Sequence, residues 1–153
     1  MAQRRSEANI LNKVIYHNIS NRRYGNNMPA YTILLGDYNL NMKSSGCGYP
    51  LYPDYMGIIK VEDNGVIQNI RIVQEEPTSL KKPKNENRNS IDAYGYANNF
   101  DHFSYDDDRF NGVGKKVKRI DTVQKYCDSD FRKHLEVISD HVPIMMLLDL
   151  KNE

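Results

Sequence analysis

What most constrains this chain is a set of three short apolar runs, each joined directly to a polar cluster. "ILLGDYN" begins at Ile33 and ends in Asp37 and Asn39. "NNFDHF" carries Asp101 and His102 in a run centred on Phe100 to Ser104. "ISDHVPIMMLLDL" sets Asp140 and His141 before the last run. Runs of this length, rich in branched and aromatic residues and bounded by turn formers, read as strands. The polar groups then fall at strand ends. Rigid strands fix side chains there, so one sheet edge can gather groups from distant parts of the sequence.

The remaining sequence supplies helices and further strands. Glu7 to Asn18 reads as a helix with Ala8, Leu11 and Ile15 on one stripe, Val14 beside them and Ser6 as N-cap. Gly57 to Val61 reads as a short strand, and Asn64-Gly65 is a hairpin signal before a strand from Val66 to Val73. Val117 to Val123 alternates apolar with polar residues, as a half-exposed strand does. "CDSDFRKHLEVI" reads as a helix capped by Asp128. "NMKSSGCGYPLYPDYMG" and "TSLKKPKNENRNS" read as loops, the second basic. No internal repeat is visible. Strands and helices in this mixture predict an α/β (α+β) domain with a mostly antiparallel mixed sheet and flanking helices.

The 153 residues suffice for one domain, and 39% hydrophobic with 27% charged residues indicates a folded chain rather than a disordered one. A net charge of +1 excludes a uniformly basic nucleic-acid binder, so a polyanion would have to be held by a local patch. Lys81, Lys82, Lys84 and Arg88 form one basic stretch and Lys115, Lys116, Lys118 and Arg119 another; a solvated face is the default for both. Asp106 to Arg109, "DDDR", lacks the spacing of a calcium loop and reads as a solvated turn. Cys47 and Cys127 have no metal-finger spacing and read as free thiols; His17 and His134 read as ordinary residues. No apolar run has the length of a membrane span and the first residues hold no apolar leader core, which leaves the cytoplasm as the default compartment.

Asp37, Asn39, Asp101, Asp140 and His141 together make a specific chemical kit. A carboxylate can ligate a hard cation, an imidazole can move a proton or meet a phosphoryl oxygen, and a second carboxylate can fix the imidazole tautomer. An amide can hold a transition-state oxygen. That combination suits metal-assisted hydrolysis of a phosphate ester. Taken singly, each cluster is weaker: Gly36-Asp37 reads as a turn, and Asp140-His141 before Pro143 as a cap or surface pair.

In this order "LLGDYN", "NNFDHF" and "ISDHVPI" resemble the C-terminal half of the endonuclease/exonuclease/phosphatase superfamily, the DNase I-like fold. The resemblance spans roughly residues 7 to 150. It implies half of a four-layer α/β sandwich, with residues 1–153 as the C-terminal portion of a single such domain and the N-terminal half absent from this sequence. It implies a catalytic Asp37, with Asn39 holding phosphate and orienting that carboxylate. It implies Asp101 as the partner of a catalytic His141, Asp140 as a ligand of Mg²⁺ or Mn²⁺, and Thr78 as a substrate-binding hydroxyl near the phosphate. The implied activity is divalent-metal-dependent phosphodiester hydrolysis, a nuclease first, on nucleic acid or another phosphate ester; the alternative is a non-catalytic fold relative that binds a partner. The family's principal Glu metal ligand belongs to the other half, and Glu7 lies on a helix rather than at a strand end. A sheet that normally packs on a second sheet would then be left uncovered. At about 25 cal/mol per Å² of apolar surface, losing several hundred Å² of burial costs on the order of 10 kcal/mol. The expectation is a chain of marginal stability without its other half.

Overall fold

The computed structural model describes residues 2–29, 31–41, 58–63, 65–73, 76–83, 90 and 93–149. Its helical opening runs from α1 (Ala2–Ile10) through a π-helical stretch (Leu11–Tyr16) into α2 (His17–Ser20). The buried stripe differs from the expected one. Ala8, Asn12, Tyr16 and Ser20 are buried, whereas Val14 and Ile15 are exposed. The spacing of four explains this: a π-helical register takes more residues per turn, so every fourth residue stays on one face. Asn12 Nδ2 donates back to the Ala8 carbonyl at 2.8 Å, one turn earlier on the same face. Ser6 lies inside α1 and is not its cap.

A two-stranded ribbon of β1 (Arg23–Tyr24) and β2 (Met28–Pro29) turns about a 3₁₀ stretch (Gly25–Asn27). There follow β3 (Ile33–Asp37), β4 (Ile58–Asp63), β5 (Val66–Val73) and β6 (Asp101–Asp106), which form one sheet in the order β3-β6-β5-β4, antiparallel throughout. β7 (Gly114–Arg119) and β8 (Ile144–Asp149) pair antiparallel as a second ribbon, with α3 (Thr122–Cys127) and α4 (Phe131–Val137) between them. The chain is thus a mixed α/β fold with antiparallel sheets, and its described residues close no barrel. No helix among the described residues is long and apolar enough to cross a membrane.

Two expected elements shift. The strand predicted over Val117 to Val123 ends at Arg119, and Thr122 and Val123 open α3 instead. Asp121 caps that helix, its carboxylate accepting the Gln124 N–H at 2.9 Å. Asp128 is not the cap of α4. It closes α3 in the left-handed region at φ 52, and Asp130 caps α4 by accepting the Lys133 N–H at 2.9 Å. Cys127 is a buried free thiol; Cys47, Lys84 and Arg88 lie outside the described residues.

The helical opening covers one face of the β3–β6 sheet, where Ala8, Tyr16, Tyr38, Leu40, Ile70 and Ile72 pack together. Much of this seam is polar and paired. The Tyr16 hydroxyl donates to the Thr32 carbonyl and accepts the Asp106 N–H, each at 2.7 Å. Gln68 donates to Asp106 at 2.6 Å and to Ser20 at 3.0 Å, and its carbonyl meets His17 at 2.5 Å. The expected solvated turn is therefore a pin: Asp106 is 4% exposed, and Asp107 takes both Arg71 Nε and Nη2, at 2.8 and 2.5 Å. On the opposite face Leu35 and Ile67 remain 65% and 59% exposed.

Burial raises the hydroxyl pKa of Tyr16, Tyr38, Tyr96 and Tyr105 above the ordinary 10.0. A folded-state pKa above the unfolded one gives stability that is complete below the unfolded pKa and is lost above it. The urea midpoint should hold from neutral pH to the onset of tyrosine ionisation and fall steeply beyond 10.0. A midpoint unchanged at that pH would contradict the burial of these rings.

Candidate functional site

The site begins with the exit of β3. Asp37 pairs in register with Asp101 at the start of β6, so both side chains leave the same face. Beyond Asp37 the chain makes an Asx turn. Asp37 Oδ1 accepts the Asn39 N–H at 2.7 Å, Oδ2 accepts the Asn39 side-chain amide at 3.1 Å, and Asn39 sits at φ 51. Asparagine tolerates this left-handed conformation better than most residues. The turn reading of Gly36-Asp37 and the functional reading therefore describe one arrangement. The Tyr38 N–H donates to the Phe100 carbonyl at 2.7 Å, and Asn41 bonds Asn98 and the Asn99 N–H at 3.0 and 2.9 Å. The "NNF" residues thus hold the turn against β6.

His141 arrives from a different part of the chain. Its Nδ1 lies 2.7 Å from Asp101 Oδ2, and its Nε2 lies 3.9 Å from Asp37 Oδ2. A carboxylate only accepts, so Nδ1 carries the proton and donates to Asp101. In the neutral ring Nε2 is then the acceptor, turned toward Asp37. The side chains of Asp37, Asp101 and His141 are 38%, 20% and 28% exposed, so the group is fixed from beneath yet reachable from solvent.

What brings His141 to Asp101 is a segment between them. The N–H groups of Thr78 and Ser79 donate to the Asn98 carbonyl at 2.7 and 2.9 Å, the Leu80 N–H donates to the Asp140 carbonyl at 2.8 Å, and the Val142 N–H donates to the Thr78 carbonyl at 2.8 Å. Thr78 is fully buried, and its hydroxyl accepts the N–H groups of Phe100 and Asp101, each at 3.1 Å. Its place is beneath the site. The resemblance implies a phosphate contact for Thr78; in this structure its buried hydroxyl is turned toward two backbone donors.

Asp140 departs from the other four. Its carboxylate lies 2.5 Å from Lys82 Nζ, with the two side chains 42% and 70% exposed, and the ammonium holds the Asp140 carboxyl below the usual carboxylate range. A pair this exposed contributes no more than about 1 kcal/mol. The resemblance implies a divalent cation at Asp140. The described residues do not supply a set for it: they contain no group of three or more His, Cys, Asp or Glu able to hold an ion, and Lys82 engages the one carboxylate in question.

Three supporting residues escaped the sequence reading. His134 is fully buried; its Nδ1 donates to the Ser139 carbonyl at 2.8 Å and its Nε2 accepts from Thr122 at 2.8 Å. It thereby sets the turn from which the Ser139 hydroxyl accepts the His141 N–H at 3.0 Å. His102 points to the side opposite Asp101, donating Nε2–H to the Leu40 carbonyl at 2.9 Å, and burial lowers its pKa. Lys82 is the third. Only the five-residue step from His134 to Ser139, one and a half helical turns, was open to notice.

Compared with protein-family models, with curated proteins and with solved structures, the chain matches none.

The support under Asp101 can be tested. Thr78→Val removes the acceptor of the Phe100 and Asp101 N–H groups and should cost about 2–3 kcal/mol in urea unfolding, whereas Thr78→Ser should cost under about 1.5 kcal/mol. Amide exchange at Phe100 and Asp101 should accelerate in the valine variant only. Equal exchange in both variants would remove Thr78 from this role.

Proposed function

We propose that this chain is a phosphate-ester hydrolase of the endonuclease/exonuclease/phosphatase type, a nuclease before other phosphodiesterases. It carries the C-terminal half of that DNase I-like sandwich and is inactive or weakly active by itself. The observation that carries this reading is the Asp101–His141–Asp37 arrangement, drawn from three distant segments at 2.7 and 3.9 Å. A coincidence of short sequence words gives no reason for them to meet.

The geometry supports these roles. Asp101 orients His141 and keeps its proton on Nδ1. Nε2 then faces the opening, where it can take a proton from an attacking water or, when protonated, meet a phosphoryl oxygen. Asp37 lies on the same side to hold the water or the leaving group. Asn39 fixes Asp37 through its amide. The resemblance also implies Mg²⁺ or Mn²⁺, with Asp140 among its ligands and the principal Glu outside this sequence; no step is assigned to the ion on the described residues.

The experiment is cleavage of plasmid DNA by the full-length protein with Mg²⁺, with Mn²⁺ and with a chelator. His141→Ala should lower cleavage by at least about 10²-fold, the ordinary share of a general acid or base. Asp101→Asn should lower it by about 10²-fold or more through the wrong tautomer. Equal cleavage by His141→Ala and the unaltered protein would sink the assignment.

The second reading is a binding module without turnover. The ion pair of Lys82 with Asp140 favours it, because a lysine stands at the carboxylate that the hydrolase would use for a cation. DNA binding indifferent to chelator, with no cleavage under any condition, would select it.

A further inference from the structure

We infer that the cavity between α1 and the Asp37–Asn39 turn is a subsite for one unstacked nucleotide flanking the scissile phosphate, with Arg4 as its phosphate contact; this rests on the phosphodiesterase reading above. The cavity has a volume of about 360 Å³, within the range of small-ligand sites. Its lining is polar on one part, with Arg4, Glu7, Asp37 and Asn39, and apolar on another, including Ile10, Leu11 and Ile15. Ile10 and Ile15 are 52% and 46% exposed although they lie mid-helix, and the offset stripe of the π-helical stretch explains why they are not in the core.

Arg4 is tied to the site. Its Nη1 donates to the Asn39 carbonyl at 3.2 Å, Asn39 bonds Asp37 at 3.1 Å, and Asp37 faces His141 at 3.9 Å. One carbonyl contact leaves the rest of the guanidinium fork for a second acceptor, and phosphate is the acceptor that the fork fits best. The next phosphate along a strand would meet it while the scissile phosphate lies at His141.

The lining also separates substrate classes. A multiply phosphorylated ring would bring its charges against Glu7 and Asp37, with Arg4 the one arginine among the described lining residues to balance them. An acyl chain would stay partly in water against Ile10 and Ile15, which are about half exposed. A nucleobase offers an apolar face to the isoleucines and donors at its edge to Glu7, and its own phosphate to Arg4. A base can enter such a cavity only when out of the stack, so the preferred partner is single-stranded or locally opened nucleic acid.

The test is fluorescence anisotropy of a labelled single-stranded oligodeoxynucleotide on the full chain over a salt series, beside a nicking assay. Arg4→Ala should weaken binding roughly tenfold, uniformly across sequences, and reduce the salt slope by about 0.7. The double variant Ile10→Ala with Ile15→Ala should weaken binding with the salt slope unchanged. Thermal melts of the variants should match the parent, since Arg4, Ile10 and Ile15 are exposed. Absence of oligonucleotide binding by the unaltered chain, or unchanged affinity in both variants, overturns the subsite. The nicking assay on His141→Ala reports separately on the hydrolase, so either idea can fail alone.

Discussion

The hydrogen bonds around Thr78 are the constraint on which the site depends. Asp101 belongs to the β3-β6-β5-β4 sheet, and His141 leads into the β7–β8 ribbon. These two sheets share no strand ladder among the described residues. The segment from Thr78 to Leu80 lies between them, bonding Asn98 on one side and Asp140 and Val142 on the other. Through the same residue, the Thr78 hydroxyl holds the backbone of Asp101. Positioning His141 on Asp101 is thus a backbone matter, fixed before either side chain chooses a rotamer. Preorganisation of this kind makes a 2.7 Å contact between residues forty positions apart reproducible.

A second network sets the other wall. Tyr16, Gln68, Ser20, His17 and Asp106 bond one another across the helix–sheet interface, where an apolar seam would be the simpler solution. A polar core paired this extensively favours a single docking geometry, since any slip leaves buried groups unmatched. Here that fixes the rotation of α1 and the π-helical stretch. It also fixes which residues face the Asp37 turn. Arg4 and Glu7 reach that turn because Tyr16 and Ser20, further along the same helical run, are locked to the sheet.

The strands were legible because their signal is local. Val66 to Val73 matches β5 residue for residue, and the runs at Ile33, Asp101 and Ile144 all form strands. Asp37, Asp101 and His141 were placed at or beside strand ends because the same local runs mark those ends. What failed was whatever depends on more distant geometry. The stripe of α1 was drawn at α-helical spacing, and a π-helical register moved it onto Asn12 and Tyr16. Polar residues at buried positions carry no periodic signal, so Thr78, His102 and His134 read as surface or chemistry rather than support. Lys82 could not be matched to Asp140 because the pairing passes through the Leu80–Asp140 bridge. The run from Val117 broke at Arg119 because Asp121 can start a helix, a choice that alternation alone does not reveal.

The facing pair of Asp37 and Asp101 has a structural reason as well as a chemical one. Like charges directly opposite each other on neighbouring strands are destabilising. At this register they would push the ends of β3 and β6 apart, were nothing placed between. The Asn39 N–H and amide satisfy Asp37, and the His141 Nδ1–H satisfies Asp101. The imidazole is therefore both the proposed reactive group and a donor that helps two carboxylates share one rim. This couples the two roles: a side chain that replaced His141 without donating would loosen the same strand ends that aim Asp37. The proposed chemistry and the local order of the sheet edge would then share one hydrogen bond.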